Sequence, residues 1–177
     1  MISYISKEDK NSFGIFSDRK DNYDDSLEIS KFIRFAKNFY DETYEFRVKP
    51  FGEYGVDVGI YKDQELLSTV DVERWKQWDS DWPSNYKYIS FLGRKEKFLI
   101  GSKDFAMVYF NKPLDKILVV SKKDILEYPT EKKFFSRYKK YDFVRQISFD
   151  CGRLYGKNLS STEKNIFKNY YEGDYFS

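Results

Sequence analysis

The chain contains no histidine among its 177 residues, a single cysteine and only four prolines. Without histidine, Ser-His-Asp and Cys-His nucleophilic centres cannot be built. Histidine-ligated zinc sites and two-histidine phosphodiesterase centres are excluded with them. Acid–base chemistry is left to carboxylates, lysine, tyrosine or metal-bound water. A hard, oxygen-ligated ion such as Mg²⁺ suits the donors that remain. One cysteine, Cys151, excludes an intramolecular disulfide and is expected to be a partly buried free thiol. No run approaches the ~20 apolar residues of a membrane span. The first twenty residues are polar and charged, without the apolar segment of a secretory signal. The expectation is a soluble, cytoplasmic protein with no membrane partner.

What is abundant is aromatic: 17 Phe and 16 Tyr bring the aromatic share to 20%, which excludes a disordered chain and suits a β-rich core and flat stacking surfaces. The length fits one domain, 1–177. Net charge is only +2, but it is uneven. Residues 1–86 carry 12 basic and 18 acidic side chains, whereas residues 87–177 carry 19 and 11. An acidic half beside a basic half fits a metal site next to a phosphate-binding face, and equally fits self-complementary packing.

Residues 1–25 are polar apart from Phe13, Ile15 and Phe16. Apolar residues from Ile29 to Tyr40 recur at helical spacing behind an N-cap at Asp25 or Ser26, predicting a helix over 26–42. Residues 54–61 and 66–75 are two β-branched runs around the polar turn 62–65, a hairpin. Further strands are predicted over 87–92, 104–111, 116–121 and 143–149. A tight basic turn or helix over 93–102, a short helix ended by Pro129, and a C-terminal helix with a capping box at Ser160 or Ser161 and Glu163 complete the pattern. The fold class expected is α/β (α+β): a mixed central β-sheet flanked by helices. The strands of 54–75 and 104–121 lie at its centre, the core spans about 26–125, and 126–177 form a basic C-terminal extension.

The chemistry concentrates on Asp57, Asp71 and Glu73. Asp71 and Glu73 are two apart on a strand and share a face, and the hairpin sets Asp57 opposite Asp71. Val56, Val58, Val70 and Val72 alternate with the acids and are expected on the core side, and Gly59 is expected to leave space beside the site. Three carboxylates this close repel one another unless a cation joins them. An amphipathic hairpin with a solvated acidic face is the competing reading.

The segments DVGIY (57–61), VDVER (70–74), GRKEKF (93–98) and FAMVYFN (105–111) together resemble the PD-(D/E)XK superfamily of metal-dependent nucleases, including uncharacterised viral members with an acid-x-Glu second strand. The likeness spans roughly 54–121. It implies a restriction-endonuclease-like core and a Mg²⁺- or Mn²⁺-dependent phosphodiesterase, a DNA endonuclease by preference, with RNA as an alternative substrate. Asp57, Asp71 and the carbonyl of Val72 would hold the ion. Glu73 would be a further ligand, or would orient or deprotonate the attacking water. The sequence departs from the family in having Val56 where a proline precedes the first acid, and Glu73 where the family has lysine. Lys95 or Arg94 would supply the missing cation from the next element, with Lys76 nearer in sequence. A further acid from the first helix would be Glu28, with Glu42 as rival. A homodimer would let one small domain cut both strands. A non-catalytic nucleic-acid-binding or interaction protein on the same fold is the alternative.

Residues 131–145 are basic and aromatic. Lys132, Lys133, Arg137, Lys139 and Lys140 are placed to pair with phosphates, and Tyr138 or Tyr141 to stack on bases. The other reading is a surface strand with Phe134, Phe135 and Phe143 in the core. Of Trp75, Trp78 and Trp82, at least two are expected in the core or a lid, with one available to line a substrate cleft.

Overall fold

Ile29, Phe32, Phe35 and Ala36 fall on one side of a helical turn, and these are the residues that α1 (Ser26–Ala36) buries. The computed structural model describes residues 26–177; the apolar patch Phe13, Ile15, Phe16 and the N-cap Asp25 lie outside them. The helix stops at Ala36, short of the predicted residue 42. Asp41 Oδ1 accepts the backbone N–H of Thr43 at 2.9 Å, a local turn that competes with helix. Tyr40 packs on Tyr44 and Phe46, with ring centroids 5.0 and 5.7 Å apart, which draws the chain into an unpredicted strand, β1 (Tyr44–Val48).

The predicted hairpin is β2 (Val58–Lys62) and β3 (Glu65–Trp75). Its turn residues Asp63 and Gln64 have φ of 52° and 68°, the left-handed pair that a two-residue hairpin loop requires. Strand β4 (Ile89–Leu92) and a 3₁₀ helix (Gly93–Leu99) follow, then β5 (Asp104–Asn111), β6 (Lys116–Ser121) and α2 (Lys122–Leu126). Next come β7 (Thr130–Phe135), β8 (Lys140–Ile147), β9 (Arg153–Gly156), α3 (Ser161–Ile166) and β10 (Asn169–Glu172).

Seven strands form a mixed sheet in the order β1-β2-β3-β5-β6-β9-β10, with β2, β3, β5 and β6 central as expected, and a second sheet has the order β4-β8-β7. Within the large sheet, β3 and β5 run parallel, as do β9 and β10. Residues 126–177 are not an appendage: β8 pairs with β4, and β9 with β6.

The large sheet has two buried faces. One packs Val58, Val70, Val72, Val108 and Phe110 against α1. The other packs Met107, Tyr109, Leu118 and Val120 against Trp78, Trp82 and the small sheet's Ile89, Phe91 and Ile147. The expected flanking helix is thus present on one face, while a second sheet covers the other. Burial of each such side chain contributes about 1.5–3 kcal/mol. Val56 departs from the expected alternation: it precedes β2 and joins the core cluster on the acids' side. Gly59 leaves no open space either, since a Cβ there would meet Tyr61, Pro50 and Leu66 at 2.8–3.3 Å.

Candidate functional site

Val58 pairs with Val70 across the hairpin, which places Asp57 one step further on, opposite Asp71. Asp71 and Glu73 pair with Met107 and Tyr109 of β5, on the face away from α1. Asp57 and Asp71 are both buried. Asp57 Oδ2 accepts the backbone N–H of Val72 at 2.8 Å. Burial, then the charge of Asp71 and a hydrogen bond to it, pushes the Asp57 carboxyl well above the usual carboxylate value. Burial would do the same to Asp71, but the Lys95 ammonium and its hydrogen bonds outweigh it and hold that carboxyl low. The two acids are thus driven in opposite directions, Asp57 toward its neutral form by burial and by Asp71, and Asp71 toward its charged form by Lys95.

Lys95 reaches this pair from the crossover that a parallel β3–β5 connection requires. That crossover carries β4 and the 3₁₀ helix over the acids' face. In a 3₁₀ helix residues i and i+3 align, so Lys95 shares a side with Phe98, whose ring joins the core. Buried with it, the Lys95 Nζ lies 2.5 Å from Asp71 Oδ2 and 3.3 Å from Glu73 Oε2. Its neighbours fix the same element. Glu96 makes a two-pronged pair with Arg145 of β8 at 2.6 and 3.0 Å. Lys97 Nζ donates to the carbonyl of Tyr54 at 3.1 Å, tying down the loop that delivers Asp57. Glu73 is further held by Trp75, whose Nε1 donates to Oε1 at 3.1 Å. Beneath it, the buried Tyr109 donates to the carbonyl of Ser90 at 2.8 Å; burial and then the charges of Glu73 and Asp71 raise its phenol well above the ordinary value.

Among the described residues, no three acidic or cysteine side chains stand together as a ready cation cage. Two carboxyls do meet, Asp57 and Asp71, with Glu73 turned to Lys95 and Trp75. The donor set nevertheless fits a divalent ion by charge. Three carboxyls on one face supply hard oxygen donors, only Asp71 and Glu73 are paired with the Lys95 ammonium, and the crowding of Asp57 by burial and Asp71 is a cost that a cation removes. The amide of Val72 is already directed at Asp57, and its carbonyl lies on the same strand edge.

The other predicted residues are distributed as follows. Glu28 is buried under α1 and paired with Arg74 at 3.2 Å. Arg74 follows Val72 on the opposite face of β3, so the expectation of Glu28 as an additional acid of the site is corrected: the sheet stands between them. Glu42 is exposed beyond α1. Lys76 is exposed past the end of β3, and Lys95 occupies the position for which it was the alternative. Arg94 adds positive potential at Asp71, and its Nε is buried with no hydrogen-bond partner. Lys132, Lys133, Arg137, Lys139 and Lys140 are all exposed on the β7–β8 hairpin. Phe134 and Phe143 are 49% and 54% exposed, which overturns the core reading for these two rings. Trp78 and Trp82 are core residues.

Unread in the sequence was a cleft of about 440 Å³ that begins at Glu73 and Trp75 and is bordered by Tyr86, Lys87, Tyr88 and Lys133. The aromatic-basic alternation of 86–88 was its only local signal. Comparison with protein-family models, with curated proteins and with solved structures gave no match. No described helix is long and apolar enough to cross a membrane.

Proposed function

We propose that the protein is a metal-dependent phosphodiesterase that cleaves nucleic acid, DNA by preference, on a PD-(D/E)XK-like core. The observation that carries this reading is Lys95: a lysine from the β3–β5 crossover is brought within 3.3 Å of both Asp71 and Glu73, restoring the carboxylate–lysine combination that the sequence lacks within β3 itself. Asp57, Asp71 and the Val72 carbonyl would hold Mg²⁺ or Mn²⁺. When bound, the ion supplies Lewis acidity and a more acidic water. Glu73 accepts a proton from the attacking water, which forms a new P–O bond as the bond to the leaving sugar oxygen breaks. The Lys95 ammonium offsets the negative charge that builds on the phosphate. Lys132, Arg137, Lys139 and Lys140 supply phosphate contacts away from the reacting bond.

A second reading has its own support. With Asp57 hydrogen-bonded by the Val72 amide and Asp71 paired with Lys95, the cluster satisfies itself, as expected of a non-catalytic nucleic-acid-binding protein. Metal titration separates the two. The nuclease reading predicts that Mn²⁺ raises the melting temperature of the wild type with the logarithm of its concentration above the dissociation constant, and that Asp57→Asn abolishes the shift. An absent shift, or one unchanged in Asp57→Asn, favours the binding protein.

A further inference from the structure

The cleft beside Glu73 combines three features that a surface for intact duplex does not need. It is concave, and its volume of about 440 Å³ lies in the ~300–1,000 Å³ range of sites that enclose a small organic molecule. Its walls carry aromatic rings. Trp75 and Tyr86 meet at 84° with centroids 5.3 Å apart, forming a corner, and Tyr88 is 49% exposed. Its border is cationic: Lys87 and Lys133 are both exposed, while among the described residues the only acid in the lining is Glu73, at the end nearest Asp71 and Lys95. Ser90 and Gln146 add polar groups to the floor. Phosphates alone call for cations, whereas rings inside a concavity call for the face of a base. A base reaches such a cleft only when it has left the helical stack.

We propose that this cleft binds one unpaired nucleotide of a DNA strand, its base among Trp75, Tyr86 and Tyr88 and its phosphate at Lys87 and Lys133, so that the substrate is single-stranded or locally opened DNA. The inference rests on the nuclease reading in one respect: it sets the strand's next phosphate toward Glu73 and Lys95. Tyr86 is a fixed wall, since its hydroxyl donates to Gln77 at 2.9 Å. Tyr88 and Lys133 are the exposed, adaptable contacts. Lys133 also joins the cleft to the basic β7–β8 hairpin, giving the strand a path away from the site.

The test is fluorescence anisotropy of the full chain in EDTA, with a labelled DNA single strand of roughly twelve nucleotides, the matching duplex, the matching RNA strand and thymidine monophosphate as competitor. The expected result is a single strand bound at least about tenfold more tightly than the duplex. Tyr88→Ala should weaken the single strand by about threefold or more and leave the duplex unchanged, while Lys133→Ala, which removes a phosphate contact, should weaken the single strand by about threefold or more and more than it weakens the duplex. Equal affinity for duplex and single strand, or insensitivity of both variants with unchanged circular dichroism, overturns the proposal. RNA bound more tightly than DNA overturns the DNA assignment, and a mononucleotide that competes as well as the strand overturns the strand. Because EDTA removes catalysis, single-strand binding without any cleavage activity would remove the nuclease reading alone. Cleavage with no such preference would remove this one alone.

Discussion

The Nζ of Lys95 lies 2.5 Å from Oδ2 of Asp71, a buried contact between residues 24 apart in sequence. Removing one partner of such a pair strands the other charge away from water, which costs more than the pair itself contributes. Lys95→Ala in EDTA should therefore destabilise the protein by about 3–5 kcal/mol, measured as a lowered urea midpoint. Adding Asp71→Asn to Lys95→Ala should recover much of that loss. A loss below about 1 kcal/mol for the single variant would mean that solvent reaches the cluster.

The Asp57–Asp71 pair makes stability depend on pH in a stated direction. Asp57 is raised above its ordinary 3.8 by burial and by Asp71, so the folded state holds a proton there that the unfolded chain has released. Its contribution is greatest below the unfolded value and declines as pH rises through the folded one. Asp71, held low chiefly by Lys95 against its burial, works oppositely: its stabilisation is present above the unfolded value and lost as pH falls through the folded one. Asp57→Asn keeps an acceptor for Val72 and removes the first effect. Its stability relative to wild type should grow as pH rises above about 4, read from urea midpoints in EDTA. A constant difference across that range would refute the raised Asp57 carboxyl.

How much of this was legible follows from where each signal resides. Strands β5 and β6 are continuous apolar runs, and their limits match residues 104–111 and 116–121. The alternation of 70–73 placed two acids on one face of β3. Strands β7 and β10 were hidden because their side chains are mostly exposed and only their pairing defines them. An acid at Glu28 on an apolar helix face does ask for a partner, but sequence spacing cannot say that the partner is Arg74 across the sheet from Asp71. Lys95 could be nominated by resemblance, yet its burial depends on the 3₁₀ phase it shares with Phe98. The cleft draws on β3, the loop before β4 and both strands of the β7–β8 hairpin, so no single stretch announces it.

Glu163 ties α3 to β6 and to the loop that carries Trp78. It is fully buried and accepts from Lys116 at 2.6 Å and from Trp78 at 2.7 Å, while closing a capping box with Ser160. Glu163→Ala leaves Lys116 without its buried carboxylate and should cost about 3–5 kcal/mol, seen as a lower melting temperature. Glu163→Gln, whose single amide oxygen keeps one of the two acceptor roles, toward Ser160 and Lys116 or toward Trp78, should cost clearly less. Equal losses would reduce the role of Glu163 to its charge.

Arg137, Lys139 and Lys140 are exposed at the tip of the β7–β8 hairpin. If they contact phosphates, each alanine substitution should lower the slope of log affinity against log salt by about 0.7 for a single strand. Salt titrations of binding measure this directly. An unchanged slope in the triple variant would place the nucleic acid elsewhere.

The central claim is hydrolysis at the Asp57–Asp71–Glu73–Lys95 cluster, and the most direct measurement is cleavage of supercoiled plasmid and of labelled single-stranded DNA by purified protein with Mg²⁺ or Mn²⁺. The account predicts cutting that EDTA abolishes and that Asp71→Ala and Lys95→Ala reduce by about a hundredfold or more, with both variants folded by circular dichroism. Failure to cut any of these substrates, or cutting that survives both substitutions, would contradict it.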